Sequence, residues 1–255
     1  RSDSTAPLST RSASTRSDGP LDGVGTRDRS RVRPMTPERR ALIVAASSPQ
    51  QLVDIETRPD VVIAADSGLH AVLAAGWIPD RLIGDLDSVD PAAVEIAAEG
   101  GAVVDRHPVG KDETDLELAL AAAVDAGATE IQVVVRADGR LDHQLANLFA
   151  LAKPDWSAAE VRADVGDHVV WVVRGERRLE VGIGQHLALL PIGGPARVTT
   201  RGVAFSLADE GLSPFDGRGI ANEAIESVVS LTVSDGVVLV VSSPAHPDDP
   251  HDARA

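Results

Sequence analysis

Acidic residues recur in this 255-residue chain just beyond short apolar runs. Asp66 follows Val61–Ala65, and Asp85 and Asp87 follow Arg81–Gly84. Lys111, Asp112 and Asp115 follow Val103–His107; Arg140, Asp142 and His143 follow Glu130–Arg136. Carboxylates gathered in one place repel each other unless cations sit among them. A hard cation resolves that repulsion, most often Mg²⁺ held by a few carboxylates together with substrate phosphates. Lys111 is one of two lysines in a chain that otherwise uses arginine, and a point charge at a helix start suits a phosphate.

Each group also has a structural explanation. Asp66 before Ser67-Gly68 suits a turn, and Asp85-Leu86-Asp87-Ser88 suits a loop that caps the next helix. Asp112 and Asp115, three apart, share one helix face, which is also the spacing of an N-cap with an acidic third residue. His143 suits a general base or a hydrogen-bonded structural histidine. The cation is favoured because all the groups fall at equivalent places, not because any one of them is distinctive.

Those places are strand ends. Ala41–Ala46, Val61–Ala65, Arg81–Gly84, Val103–His107 and Glu130–Arg136 read as strands. Helices are expected over Leu69–Ala75, from Asp90-Pro91, over Glu113–Ala126 and over Leu141–Ala152. Continuous apolar strands interleaved with helices predict an α/β fold, a mostly parallel sheet covered on both faces. Strands of one direction put all four polar clusters at one edge, where ligands bind in such sheets. Beyond Pro154 only short strands follow: Val161–Val165, His168–Val173, Arg177–Val181, Gln185–Leu190, Ala196–Thr200, Ser227–Val233 and Val237–Val241. They predict a small antiparallel β-sandwich. The expected organisation is a disordered tail over 1–36, a catalytic α/β domain over 37–156, a β-sandwich over 157–243 and a second disordered tail over 244–255.

Composition excludes several function classes. The chain is 43% hydrophobic and 25% charged, enough to bury a core, with a net charge of −15. That charge repels phosphate backbones, and 2% aromatic residues with no Tyr leave no stacking platform, so nucleic acid is not an expected partner. No apolar run is long enough to span a membrane. The absence of Cys removes thiolate zinc sites and Cys nucleophiles and fits a cytoplasmic protein. Residues 1–34 carry seven Arg and four Asp with few apolar side chains, which is why disorder is expected there. Met35, the only Met, is the expected native start, and His246 and His251 are read as solvated tail residues. There is no P-loop, no complete G-x-G-x-x-G after a strand, no G-x-S-x-G and no H-E-x-x-H.

Four segments in order, ADSG (65–68), WIPDRLIGDLDS (77–88), KDETDLELAL (111–120) and GRLDHQLANL (139–148), resemble thiamine pyrophosphokinases. In the β region TTRGVAFSL (199–207) and GIANE (219–223) are similar to that family's thiamine-binding segment. The resemblance spans about residues 41–241. It implies transfer of pyrophosphate from ATP to the hydroxyl of thiamine, with AMP released and Mg²⁺ required, in a homodimer with sites between subunits. It also implies roles. Asp85, Asp87 and Asp112 would hold Mg²⁺. Asp115 and Asp66 would be further ligands, Lys111 and Arg140 would offset phosphate charge, and Asp142 would orient the Arg or a ligand. Asp66, Ser67, Gly68, Ser88, Thr114, His143 and Asn147 would line the ATP site. Asn222, Phe205 and Trp171 would receive thiamine.

Ser67 stands where the family usually has Gly, Ala221 where it has Ser, and Phe205 where it has Tyr. Two of these departures, Ala221 and Phe205, fall in the segments similar to the thiamine-binding part of the family. Alternatives are a related Mg²⁺ enzyme acting on another alcohol such as a pterin, a non-catalytic nucleotide- or thiamine-binding module, and a phosphatase using an Asp nucleophile.

Overall fold

The computed structural model describes residues 38–45, 52, 55 and 57–244. The expectations for the tails, for Met35 and for His246 and His251 lie outside them.

Six strands run parallel in the first half: β1 (Arg40–Ala45), β2 (Val61–Ala65), β3 (Arg81–Gly84), β4 (Val103–Arg106), β5 (Glu130–Val135) and β6 (Glu160–Val165). Their spatial order is β6-β5-β1-β2-β3-β4, each pair parallel. Side chains alternate across a strand, and here both faces are buried. In β1, Ala41 and Ile43 join one core with Ile63, Ile131, Val133, Leu120 and Trp156. Leu42 and Val44 join the other, with Val62, Leu69, Val72 and Ala97.

Helices α1 (Gly68–Ala74) and α2 (Pro91–Glu99) line the second of these cores, and α3 (Asp115–Asp125) and α4 (Leu141–Leu151) line the first. Their starts follow from local chemistry. Asp90 caps α2, its side chain accepting from the Ala92 N–H, with Pro91 at the first helical position. Thr114 and Glu117 form a reciprocal capping box at α3. Asp112 therefore lies ahead of the helix, and the expected shared helix face for Asp112 and Asp115 does not form. Its predicted cap role passes to Thr114, whose hydroxyl accepts the N–H of Glu117.

The second half comprises β7 (His168–Glu180), β8 (His186–Pro191), β9 (Ala196–Arg201), β10 (Glu210–Leu212), β11 (Asn222–Glu223) and β12 (Val228–Ser243), all pairing antiparallel. A third core forms here around Leu179, Leu187, Val198, Leu231 and Val240. Two pairs of expected strands are single long strands. Gly175 sits inside β7 at φ 87°, and β12 shifts register between Val233 and Val238 where it passes from β9 to β8. The Val161–Val165 segment, read from sequence as part of the antiparallel half, is β6. It pairs parallel with β5 on one side and antiparallel with β7 on the other, so one sheet runs unbroken through both halves. Arg174 of β7 adds a bridge, its guanidinium donating to Ala152 O (2.6 Å) and Lys153 O (3.3 Å) beyond the end of α4.

Candidate active site

The parallel strands deliver the four polar clusters to one edge of the sheet. At its centre the β2–α1 turn meets the loop after β3. The Asp66 N–H bonds Ile83 O at 2.8 Å, which seats the turn against β3. Gly84 has φ 149°, and a Cβ there would stand 3.3 Å from the Asp66 Cβ, so the approach needs Gly. Asp66 (φ 47°) and Leu86 (φ 62°) occupy left-handed backbone that non-glycine residues rarely adopt. Leu86 is buried in the α1–α2 core, and the aspartates on either side of it lie at the sheet edge.

Asp66, Asp85 and Asp87 converge: one carboxylate oxygen from each lies within 4.8 Å of the others. Ser88 Oγ donates to Asp66 Oδ2, and the Asp87 N–H donates to Asp85 Oδ1 at 3.1 Å. Asp66 Oδ1 is buried and makes no hydrogen bond. The Asp85 charge, some burial and the Asp66 charge together hold the Asp87 carboxyl above its ordinary range. A buried, unpartnered oxygen and three mutually repelling carboxylates fit a hard divalent cation. Asp66 thus stands in the trio where the sequence suggested Asp112. Asp112 is exposed ahead of α3, outside the convergent group.

The remaining expected residues fall into three places. Asp115 opens α3 and pairs with Lys111 Nζ at 2.9 Å; the lysine side chain is 12% exposed. Asp115 also adds to the charge that raises Asp87, so the pair adjoins the trio. Thr114 is committed to the capping box, where its N–H also holds the Glu117 carboxyl below its usual range.

Arg140 and Asp142 flank the start of α4 and bond each other through two contacts, which lowers the Asp142 carboxyl. The His143 N–H donates to the same carboxylate at 3.0 Å. Asn147, one turn on, lines a cavity of about 50 Å³ with Arg136, Gln144, Leu116 and Val165. Arg136 and Asp138 form a second two-point pair, at 2.6 Å for each contact. That pair was not singled out in the sequence; the signal was a repeated Arg-x-Asp spacing at 136–138 and 140–142.

Ser67 makes no capping bond at α1. Gly68 has a steric duty: a Cβ there would lie 1.9 Å from Val44 O, so only Gly lets α1 start against β1. In the second half Phe205 is exposed and Asn222 is buried, its amide bonded to the Phe205 main chain. Trp171 is 7% exposed within the third core, which makes it a packing residue.

Two family models match the chain: the thiamin pyrophosphokinase catalytic domain over residues 54–163 and the thiamin pyrophosphokinase vitamin B1 binding domain over 174–238. Together they take in more than half of it. The thiamine pyrophosphokinase of Bacillus subtilis is 25% identical over 211 residues, covering 80% of this chain and 99% of that protein. Thiamine pyrophosphokinase 1 of Oryza sativa is 26% identical over 176 residues, covering 64% of this chain and 66% of that one. The crystal structure of the Bacillus subtilis thiamine pyrophosphokinase superimposes with a TM-score of 0.71 at 24% identity, covering 80% of this chain and 99% of that chain, which shows a shared fold. With both domain models matched in order along one continuous sheet, the chain belongs to the thiamin pyrophosphokinase family.

Proposed function

We propose that this chain is a thiamine pyrophosphokinase. The thiamine hydroxyl oxygen attacks the β-phosphorus of ATP, the bond from that phosphorus to the α-phosphate bridging oxygen breaks, and AMP leaves. The hydroxyl proton is lost, and thiamine diphosphate forms. The observation that carries this most directly is the convergence of Asp66, Asp85 and Asp87 within the segment matched by the catalytic-domain model.

These three carboxylates would hold Mg²⁺, which when bound neutralises charge on the polyphosphate. The chain's own residues do the rest. Lys111, fixed by Asp115, offers a positive charge beside the trio, where it offsets the transferred phosphates. Arg140 is exposed and held by Asp142 at the start of α4, ready to exchange that partner for a phosphate. Phe205 presents an apolar face suited to a flat cationic acceptor. The matched vitamin B1 binding segment favours thiamine over a pterin or another alcohol.

The active form is a homodimer on this account. A stripe of Leu141, Leu145 and Phe149, spaced four apart along α4, is exposed, which supports a second copy covering it. No helix among the described residues is long and apolar enough to cross a membrane.

The decisive experiment incubates the purified chain with ATP, Mg²⁺ and thiamine, and follows AMP and thiamine diphosphate. AMP production that requires thiamine supports the assignment. AMP formed without thiamine, or only with a different alcohol, overturns it.

A further inference from the structure

Three polar residues are buried among the described residues: Thr200, Asn222 and Ser242. Two of them direct their hydrogen bonds to one short segment, residues 205–207. Asn222 Oδ1 accepts the Phe205 N–H at 3.0 Å, and Asn222 Nδ2 donates to Phe205 O at 2.9 Å. Thr200 Oγ1 accepts the Leu207 N–H at 2.9 Å, while the Thr200 N–H donates to Leu207 O at 3.0 Å.

The geometry continues a strand pairing by other means. Val203 bridges Ala224, and the Ala204 N–H donates to Glu223 O at 2.9 Å. The next partner on that side would be the Asn222 main chain. Ala221, at φ 61°, breaks the extended backbone just before it. The Asn222 side chain takes over, and its oxygen also accepts the Glu223 N–H at 3.0 Å. Both main-chain polar groups of Phe205 are thus satisfied by one buried amide, while the residue as a whole is 69% exposed. A large apolar ring left in water on so fixed a backbone points to a face prepared for a ligand.

We infer that Asn222, together with Thr200, is a positioning residue. Asn222 holds the Phe205 main chain directly and Thr200 fixes Leu207 two residues on, so that Phe205 is kept as a preorganised aromatic face for the flat cationic acceptor, and Asn222 acts through Phe205 and not by touching the acceptor. This rests on the functional assignment above. The benefit is entropic: a face fixed before binding costs less to order when the acceptor arrives, and a cation against an aromatic face is held by the ring quadrupole.

The test compares Asn222→Ala, Thr200→Val, Phe205→Ala and the two double variants that include Phe205→Ala. Each single variant is expected to raise the KM for thiamine about tenfold and leave the KM for ATP and kcat near wild type. In the doubles, adding Asn222→Ala or Thr200→Val to Phe205→Ala costs nothing more. Costs that multiply, or an equal rise in the KM for ATP, overturn the inference.

A second measurement needs no turnover. The chain has three Phe and no Tyr, so 4-fluorophenylalanine labelling gives three ¹⁹F lines, assigned with Phe→Leu variants. Without thiamine, the Phe205 line is expected to shift and lose dispersion in Asn222→Ala and in Thr200→Val. An unchanged line in both overturns the positioning role. If the wild-type protein fails to use thiamine, the functional assignment fails, and the fluorine line still reports separately on whether Phe205 is held. Thr200→Val keeps the side-chain volume and so serves should Asn222→Ala not fold.

Discussion

Ser88 Oγ donates to Oδ2 of Asp66, twenty-two positions away in the chain, while Oδ1 of the same carboxylate is buried and unpartnered. The hydroxyl fixes the orientation of the Asp66 carboxylate, one of the three that converge, before any cation arrives. Outer partners of this kind typically govern cation affinity by about 10–100-fold. Ser88→Ala should raise the Mg²⁺ concentration for half-maximal activity within that range and leave the KM for thiamine unchanged. Asp85→Asn and Asp87→Asn should retain the wild-type circular dichroism spectrum and abolish turnover. Near-normal rates in both would remove the cation assignment.

The same cluster sets a pH dependence of stability. The Asp87 carboxyl is raised above its ordinary value of 3.8 by Asp85 first, then by burial and Asp66. The folded state therefore binds this proton more tightly than the unfolded state. Stability is lost as pH climbs from the unfolded value through the raised folded value. Asp87→Asn should accordingly raise Tm at neutral pH without divalent cations, and the gain should shrink as pH falls toward about 4. Adding Mg²⁺ should raise Tm more in the wild type than in the variant, because at a given concentration a ligand that binds the folded state more tightly stabilises it more. Thermal melts with EDTA and with Mg²⁺ at several pH values check both; an Asp87→Asn Tm below wild type in EDTA would contradict them.

Gly68 has a packing duty that is independent of any ligand. A Cβ 1.9 Å from Val44 O cannot be accommodated without displacing α1 or β1. Gly68→Ala should destabilise by about 3 kcal/mol, at the upper end of overpacking costs. Urea unfolding measures it, and a loss below about 1 kcal/mol would show that the helix shifts freely.

Much of this architecture was legible because the parallel half writes its strands as bare apolar runs. Val61–Ala65 and Arg81–Gly84 are strands with the expected bounds. The second half was harder, since Gly175 and Ser234–Gly236 look like chain breaks, yet their strands continue through a left-handed Gly and a register shift. β10 and β11, of three and two residues, are set by their partners and have no periodicity of their own to read. At the site the aspartate types and their common edge were visible in the sequence. Which three meet was not, because that depends on the dihedral angles of Gly84 and Leu86 and on where the Thr114 capping box starts α3.

The exposed stripe on α4 yields an association test. Leu145→Asp and Phe149→Asp place charges on positions that are already exposed, so the fold should survive. If a second copy covers this face, light scattering after gel filtration should show a dimer for wild type and a monomer for the double variant. A dimer unaffected by both charges would move the interface elsewhere.

Strand β6 is bonded along one edge to β5 and along the other to β7. A strand stitched on both sides is a seam and not a hinge. Swinging the second half over the first as rigid bodies would tear those bonds. Whatever movement admits and traps the substrates therefore falls to the loops at the sheet edge, and the two halves should melt together in a single cooperative transition.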